Sequence, residues 1–172
     1  LDKKLPKDME YITLDIDKNR NPDITADLEK KLPIKDKTYD FIICSEVLEH
    51  ILYPRRIINE LKRITKKDGY IIITMPNEYN LYLRIKFLFG VQNNTEIPFR
   101  DDLYKNHIHR ARVKDLLKFY NEEFNVREIT YSWDSFSNKE ILQKIDNIIH
   151  STLIPISKSL FSRSVIVIGR VK

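Results

Sequence analysis

Apolar residues fall into two kinds of pattern along this chain. Short unbroken runs predict buried strands: Tyr11–Asp15, the brief Ile24–Ala26, Asp40–Cys44, Tyr70–Thr74 and Ser164–Ile168. Apolar positions recurring every three or four residues predict helices. Ile57, Ile58, Leu61 and Ile64 share one face within Tyr53–Lys67, and Val113, Leu116, Leu117 and Tyr120 share another. Ile141, Leu142, Ile145, Ile148, Ile149 and Leu153 mark a third helix over Glu140–Leu153, which Pro155 should end or bend. Asn125–Trp133 alternates loosely and reads as a strand. Leu81–Phe89 is apolar almost all round with two cations, so it fits a helix packed on the core or a lid over a site, and less well an interfacial foot on a membrane. Val91–Asp102 shows no sustained period and is the candidate for a substrate-facing loop.

The stretch Thr38–Asn77 is the organising unit: strand, crossover helix, strand. Pro54 suits the first helical turn, and Arg63, Lys66 and Lys67 suit the negative end of the helix dipole. Gly69 is expected to supply the left-handed stop. Two parallel strands joined by a helix form a right-handed unit whose ligand side is the carboxyl end of the strands. Ser45, Glu46, His50 and Asn77 stand at those ends. Strands first, then helices and strands in alternation, predict a layered α/β domain.

Composition narrows the reading. With 172 residues, 42% of them hydrophobic, the chain can bury one sizeable core. It has no apolar run of the roughly 20 residues that span a bilayer, and no signal-peptide pattern. A single cysteine excludes an internal disulfide and a multi-thiolate metal site, which fits a cytoplasmic setting. The net charge of +5 permits a nucleic-acid partner, but the lysines are interspersed with acids as on a solvated face. The three glycines are too far apart for a Gly-x-Gly turn, which excludes a dinucleotide fingerprint or a P-loop within these residues. No metal ligands are assigned.

Several segments carry a family resemblance. These are the acidic strand end Leu14-Asp15-Ile16-Asp17, Ala26-Asp27-Leu28 leading to Leu32-Pro33, and the Tyr39-Asp40 pair. Next come Ser45-Glu46-Val47-Leu48-Glu49-His50-Ile51, Lys66-Lys67-Asp68-Gly69-Tyr70, Met75-Pro76-Asn77, and His107-Ile108 before a helix. In this order and spacing they resemble the class I S-adenosylmethionine-dependent methyltransferases, particularly the small type 11 branch. The resemblance implies a Rossmann-like, mostly parallel sheet with an antiparallel last strand, in one domain over residues 1–172. Residues 78–110 would form a lid or substrate insertion.

It also implies S-adenosylmethionine as cofactor. Asp15, with Asp17 close behind, would accept from the ribose diol. Asp27 would accept from the adenine amino group while the N–H of Leu28 faces a ring nitrogen. Ser45 and Glu46 would lie near the methionine part. His107, then His50, would serve as general base for an acceptor that must lose a proton. Each has a plainer reading: turn or cap chemistry for Asp15 and Asp27, a helical cap for Glu46, structural hydrogen bonding for either histidine. The family's first strand and Gly-rich turn have no counterpart here, so the sheet is expected to be N-terminally incomplete. Another chain, or a segment preceding Leu1, would complete it. The implied activity is methyl transfer to a small molecule, sugar or lipid. A non-catalytic binding or scaffold module is the alternative, and a nucleic-acid methyltransferase the third, although Cys44-Ser45-Glu46-Val47 lacks the Asp/Asn-Pro-Pro-aromatic motif of enzymes that methylate base amino groups.

Overall fold

A computed structural model describes residues 9–91, 107–133, 144 and 147–172. Its strands form two sheets. The small one pairs β1 (Leu14–Asp15) parallel to β2 (Ile24–Thr25). The large one has the order β3-β4-β6-β5, built from β3 (Tyr39–Ser45), β4 (Thr65–Pro76), β5 (Asn125–Ser132) and β6 (Ser164–Arg170). β3 and β4 are parallel, and β6 runs antiparallel to both β4 and β5. The α/β class, the mostly parallel sheet and the antiparallel last strand are as expected.

Helix α1 (Pro54–Ile64) crosses between β3 and β4, with Ile57, Ile58, Leu61 and Ile64 all buried. Helix α3 (Val113–Glu123) buries Val113, Leu116 and Tyr120. Arg55 and Lys62 of α1 pair with Glu122 and Glu123 of α3, so the two helices lie side by side. Beneath them Ile71, Ile73 and Met75 of β4 and Val165 and Val167 of β6 complete one core. Burying each such side chain stabilises the fold by roughly 1.5–3 kcal/mol.

The alternation on β4 and β6 is between buried and half-buried positions, so one face of the sheet carries the core. β6 is therefore not covered equally on both faces. β3 is also more open than its apolar run suggests, since Phe41 and Ile43 remain 36% and 40% exposed. Among the described residues β3 pairs only with β4, and an edge strand is covered less than a central one.

Gly69 does not stop α1. The helix ends at Ile64, and the left-handed conformation falls on Asp68, at φ 67°. Gly69 already belongs to β4, where a Cβ would come within 2.6 Å of Thr65 Cγ2 and 2.7 Å of the Asp40 carbonyl. It is needed for close approach, not for its φ. β4 starts earlier than predicted because Thr65 pairs with Tyr39 across a bulge.

Helix α2 (Leu81–Leu88) buries none of its residues, and Leu88 is 80% exposed. This contradicts packing on the core. The Val91–Asp102 loop lies beyond Val91 outside the described residues, as does most of the first half of the Glu140–Leu153 helix. Near Pro155 the path widens into a π turn at Ile149–Leu153 before a last short turn at Ile154–Ile156, the bend expected where proline removes a donor. Among the described residues no helix is long and apolar enough to cross a membrane.

The carboxyl end of β4 is anchored by one side chain. Buried Asn77 donates to the carbonyls of Ser159 and Ser162, both at 2.9 Å, while its Oδ1 accepts from the N–H of Tyr79. Asn80 then caps α2 by accepting from the N–H of Leu83. The chain leaving β4 is thereby held in place at Glu78.

Candidate functional site

β3 ends at Ser45, and Glu46 turns the chain away from the sheet in the left-handed region, at φ 51°. A non-glycine residue there is uncommon and costs conformational energy. Thr74 of β4 holds the turn. The Glu46 N–H donates to the Thr74 carbonyl and hydroxyl, and that hydroxyl donates back to the Glu46 carboxylate at 3.0 Å. Ser45 completes the group, 2.9 Å from Thr74 Oγ1.

A 3-10 turn, Leu48–His50, follows and carries Glu49 inward, where it is fully buried. Its backbone carbonyl accepts from the N–H groups of both Ile108 and His109, at 2.7 and 3.0 Å. This two-pronged latch brings the segment before α3 onto the turn and sets His107 beside it. His50 and His107 stack edge to face with centroids 4.8 Å apart. His107 Nδ1 lies 2.5 Å from the carboxylate of Glu78, which is 4% exposed. A carboxylate can only accept, so Nδ1 carries the proton, and in the neutral ring Nε2 holds the lone pair.

The electrostatics are unusual. Both carboxylate oxygens of Glu49 are buried without a hydrogen-bond partner. Burial pushes its pKa up to about 7, with the charges of Glu46 and Glu78 adding to the rise and His107 opposing it. Glu46 is raised as well, by desolvation first, against the Thr74 hydrogen bond. Burial draws His107 down, but the hydrogen bond and charge of Glu78, with Glu49 and Glu46, outweigh it and leave the imidazole above its ordinary value.

The acids predicted to bind cofactor sit differently. Asp15 accepts from the Asp17 N–H and pairs with Arg20 at 3.1 Å. Asp17 caps the turn at Lys18–Arg20 through the N–H of Asn19. Asp27 accepts from the Glu29 N–H and pairs with Lys30 at 3.3 Å. Turn and cap chemistry thus engages all three. Leu28 is half-buried against the core. Arg20 and Lys30 are 73% and 79% exposed, so those two ion pairs are the exchangeable kind that an incoming hydrogen-bond donor can displace.

The structure therefore assembles Ser45, Glu46, His50 and His107 into one site and keeps Asp15, Asp17, Asp27 and Leu28 on or just after the small sheet. Sequence reasoning missed Glu49, Thr74 and Glu78. The signal for Glu49 was present: two glutamates three residues apart, the second followed by histidine, right after a strand.

Comparisons with known proteins bear on the fold. Residues 7–73 match a family model described as a methyltransferase domain. Over 84 residues the chain is 37% identical to an uncharacterised protein of Methanocaldococcus jannaschii, covering 45% of this chain and 36% of that protein. Over 94 residues it is 27% identical to the malonyl-[acyl-carrier protein] O-methyltransferase of a Marinomonas species, covering 55% of this chain and 30% of that enzyme. The chain thus spans about a third of the length of these relatives. Among solved structures, an S-adenosylmethionine-dependent methyltransferase from Thermotoga maritima shares the fold, with a TM-score of 0.53 at 19% identity over 86% of this chain and 62% of that one. Residues 7–73 thus carry a methyltransferase-domain match, and the chain shares the fold of a solved S-adenosylmethionine-dependent methyltransferase.

Proposed function

We propose that this domain takes part in S-adenosylmethionine-dependent methyl transfer to a small-molecule, sugar or lipid acceptor. One observation carries the reading. Ser45, Glu46, His50 and His107 converge at the carboxyl ends of β3 and β4, where a parallel α/β unit binds its ligand.

The residues present fit the cofactor. Asp15 and Asp27, following paired strands, have exposed, exchangeable partners, so their carboxylates can accept from a ribose diol and an adenine amino group. Asp17 sits beside the first, and the N–H of Leu28 beside the second. Ser45 and Glu46 offer a hydroxyl and a carboxylate to the amino-acid end. Bound there, the cofactor supplies an electrophilic methyl group, and holding the acceptor in line with it is the protein's main task. His107, oriented by Glu78, is the first candidate to take the acceptor's proton, and His50 the second. A further strand, from this protein or a partner chain, that paired with the edges of β1 and β3 left unpaired among the described residues would join the two sheets.

Calorimetry with S-adenosylmethionine, followed by transfer of a labelled methyl group over acceptor classes, tests the reading. Binding in the micromolar range that Asp15→Ala weakens at least tenfold supports it. No binding to a folded full-length protein favours the second reading, a non-catalytic binding module. That reading has its own support in the way Asp15, Asp17 and Asp27 are bonded within their own loops. Labelling of RNA or DNA alone, with strongly salt-dependent binding, would instead mark a nucleic-acid methyltransferase.

A further inference from the structure

We infer that Glu49, His50 and His107 form a binding site for a divalent transition-metal cation, with Zn²⁺ the best fit. One ligand atom from each lies within 4.8 Å of the others. Zinc bonds of about 2.0–2.2 Å hold neighbouring ligand atoms some 3–4 Å apart, so side-chain adjustments of under about 1 Å close the site.

Three separate observations converge on a cation. Glu49 is fully buried, and neither carboxylate oxygen has a hydrogen-bond partner. A buried carboxylate left alone is costly, and such groups are ordinarily paired or bound to metal. His107 is already oriented as a ligand. Its Nδ1–H is held by the Glu78 carboxylate, the arrangement that fixes a metal-binding imidazole and raises the basicity of its other nitrogen. Of the other titratable groups against the cluster, Glu46 adds negative charge that acts on both Glu49 and His107, while the buried thiol of Cys44 and phenol of Tyr120 also face Glu49. Two imidazoles and a carboxylate are the donor set of a catalytic zinc centre, with at least one coordination position left open.

The latch explains how residues 58 positions apart hold this geometry. The Glu49 carbonyl that binds the N–H groups of Ile108 and His109 belongs to the same residue whose carboxylate would bind the metal. If the methyl-transfer reading holds, on which this last step rests, the open position takes a hydroxyl oxygen of the acceptor. The cation lowers that hydroxyl's pKa and, since both imidazoles are then ligands and no longer the base named above, its proton leaves to solvent. The acceptor class is then an oxygen nucleophile able to ligate a metal.

Titration of the metal-free full-length protein with Zn²⁺ by calorimetry, and with Co²⁺ by visible absorption, tests the site. The expected result is one ion per chain, a Co²⁺ spectrum of a four- or five-coordinate ion with nitrogen ligands, and at least 100-fold weaker Zn²⁺ binding in Glu49→Gln and His107→Ala. Glu78→Gln should weaken binding roughly 10–100-fold while leaving the stoichiometry unchanged. No binding at millimolar Zn²⁺ would overturn the inference, as would equal binding by native, Glu49→Gln and His50→Ala proteins. Where a variant fails to fold, the Co²⁺ spectrum of the native protein decides alone, and a spectrum of the hydrated ion sinks the site. The readout is independent of catalysis. Metal binding without methylation therefore leaves the site standing and counts only against the methyl-transfer reading.

Discussion

The small and large sheets carry acids at corresponding places, the carboxyl ends of parallel strands, and treat them in opposite ways. On the small sheet Asp15, Asp17 and Asp27 are satisfied by their own turns. Asp23 accepts from both the N–H and the hydroxyl of Thr13, and these hydrogen bonds hold its carboxyl below the usual range. On the large sheet Glu49 is fully buried, and desolvation pushes it and, on the more exposed turn, Glu46 upward. The packing behind them explains the contrast. β4 runs for twelve residues between two neighbours and lies under α1, whereas β1 and β2 pair over two residues each, and Tyr11, Ile12 and Ile16 nearby stay nearly half exposed. Only a well-packed element can hold an unsatisfied charge in place.

The comparison can be broken at either end. The largest effect should come from the large sheet's core: Ile58→Ala, at a fully buried position, should cost about 2–5 kcal/mol in chemical denaturation. A loss under about 1 kcal/mol would mean that α1 is not the cover described. Asn77→Ala should cost about 1–3 kcal/mol, because it strands the buried Ser162 carbonyl and the part-buried Ser159 carbonyl beside the carboxyl end of β4.

Glu49→Gln should behave unlike either. In chelator at pH 8 it removes a buried charge that lacks any hydrogen-bond partner and has only the long 3.8 Å contact to His50 Nε2, so the variant should melt no lower than the native protein. A clear loss of stability would show that Glu49 has a structural partner.

Acid should then separate the two sheets. Asp23 is depressed in the fold, so its contribution is present in full above its ordinary value near 3.8 and is lost as pH falls through the lower folded value. Amide exchange at Ile24, whose N–H bonds the Thr13 carbonyl, should quicken in that window while β4 stays protected, and Asp23→Asn should abolish the step. Smallest of all, Ile16→Ser on the exposed side of the small sheet should shift stability by no more than about 0.5 kcal/mol.

How legible this was in the sequence follows the same divide. The 3.6-residue stripe of α1 and the apolar runs of β4 and β6 were read correctly because one large core dictates both. β1 was read too long, since Tyr11 to Thr13 carry strand-forming side chains but find no ladder partner among the described residues. Helix α2 misled because an apolar composition records what could be buried, and nothing described covers Leu88. At the site, Glu46, His50 and His107 were visible as polar residues at strand ends or before a helix. Glu78 was hidden behind Asn77, and its pairing with His107 is a tertiary contact with no local signature. Gly69 was assigned to a helix end because Asp68, an unusual left-handed residue, was already doing that task.

The strand order has a consequence for how the protein is made. β6 is synthesised after β5 yet lies between β5 and β4, so β5 emerges from the ribosome with no strand to pair with. For the time it takes to make residues 133–163, its hydrogen-bonding edge and the edge of β4 that β6 later fills have no partner strand among the described residues. Nascent chains stalled in that interval should be the aggregation-prone species, and the arrival of β6 should convert them in one step to a protease-resistant domain.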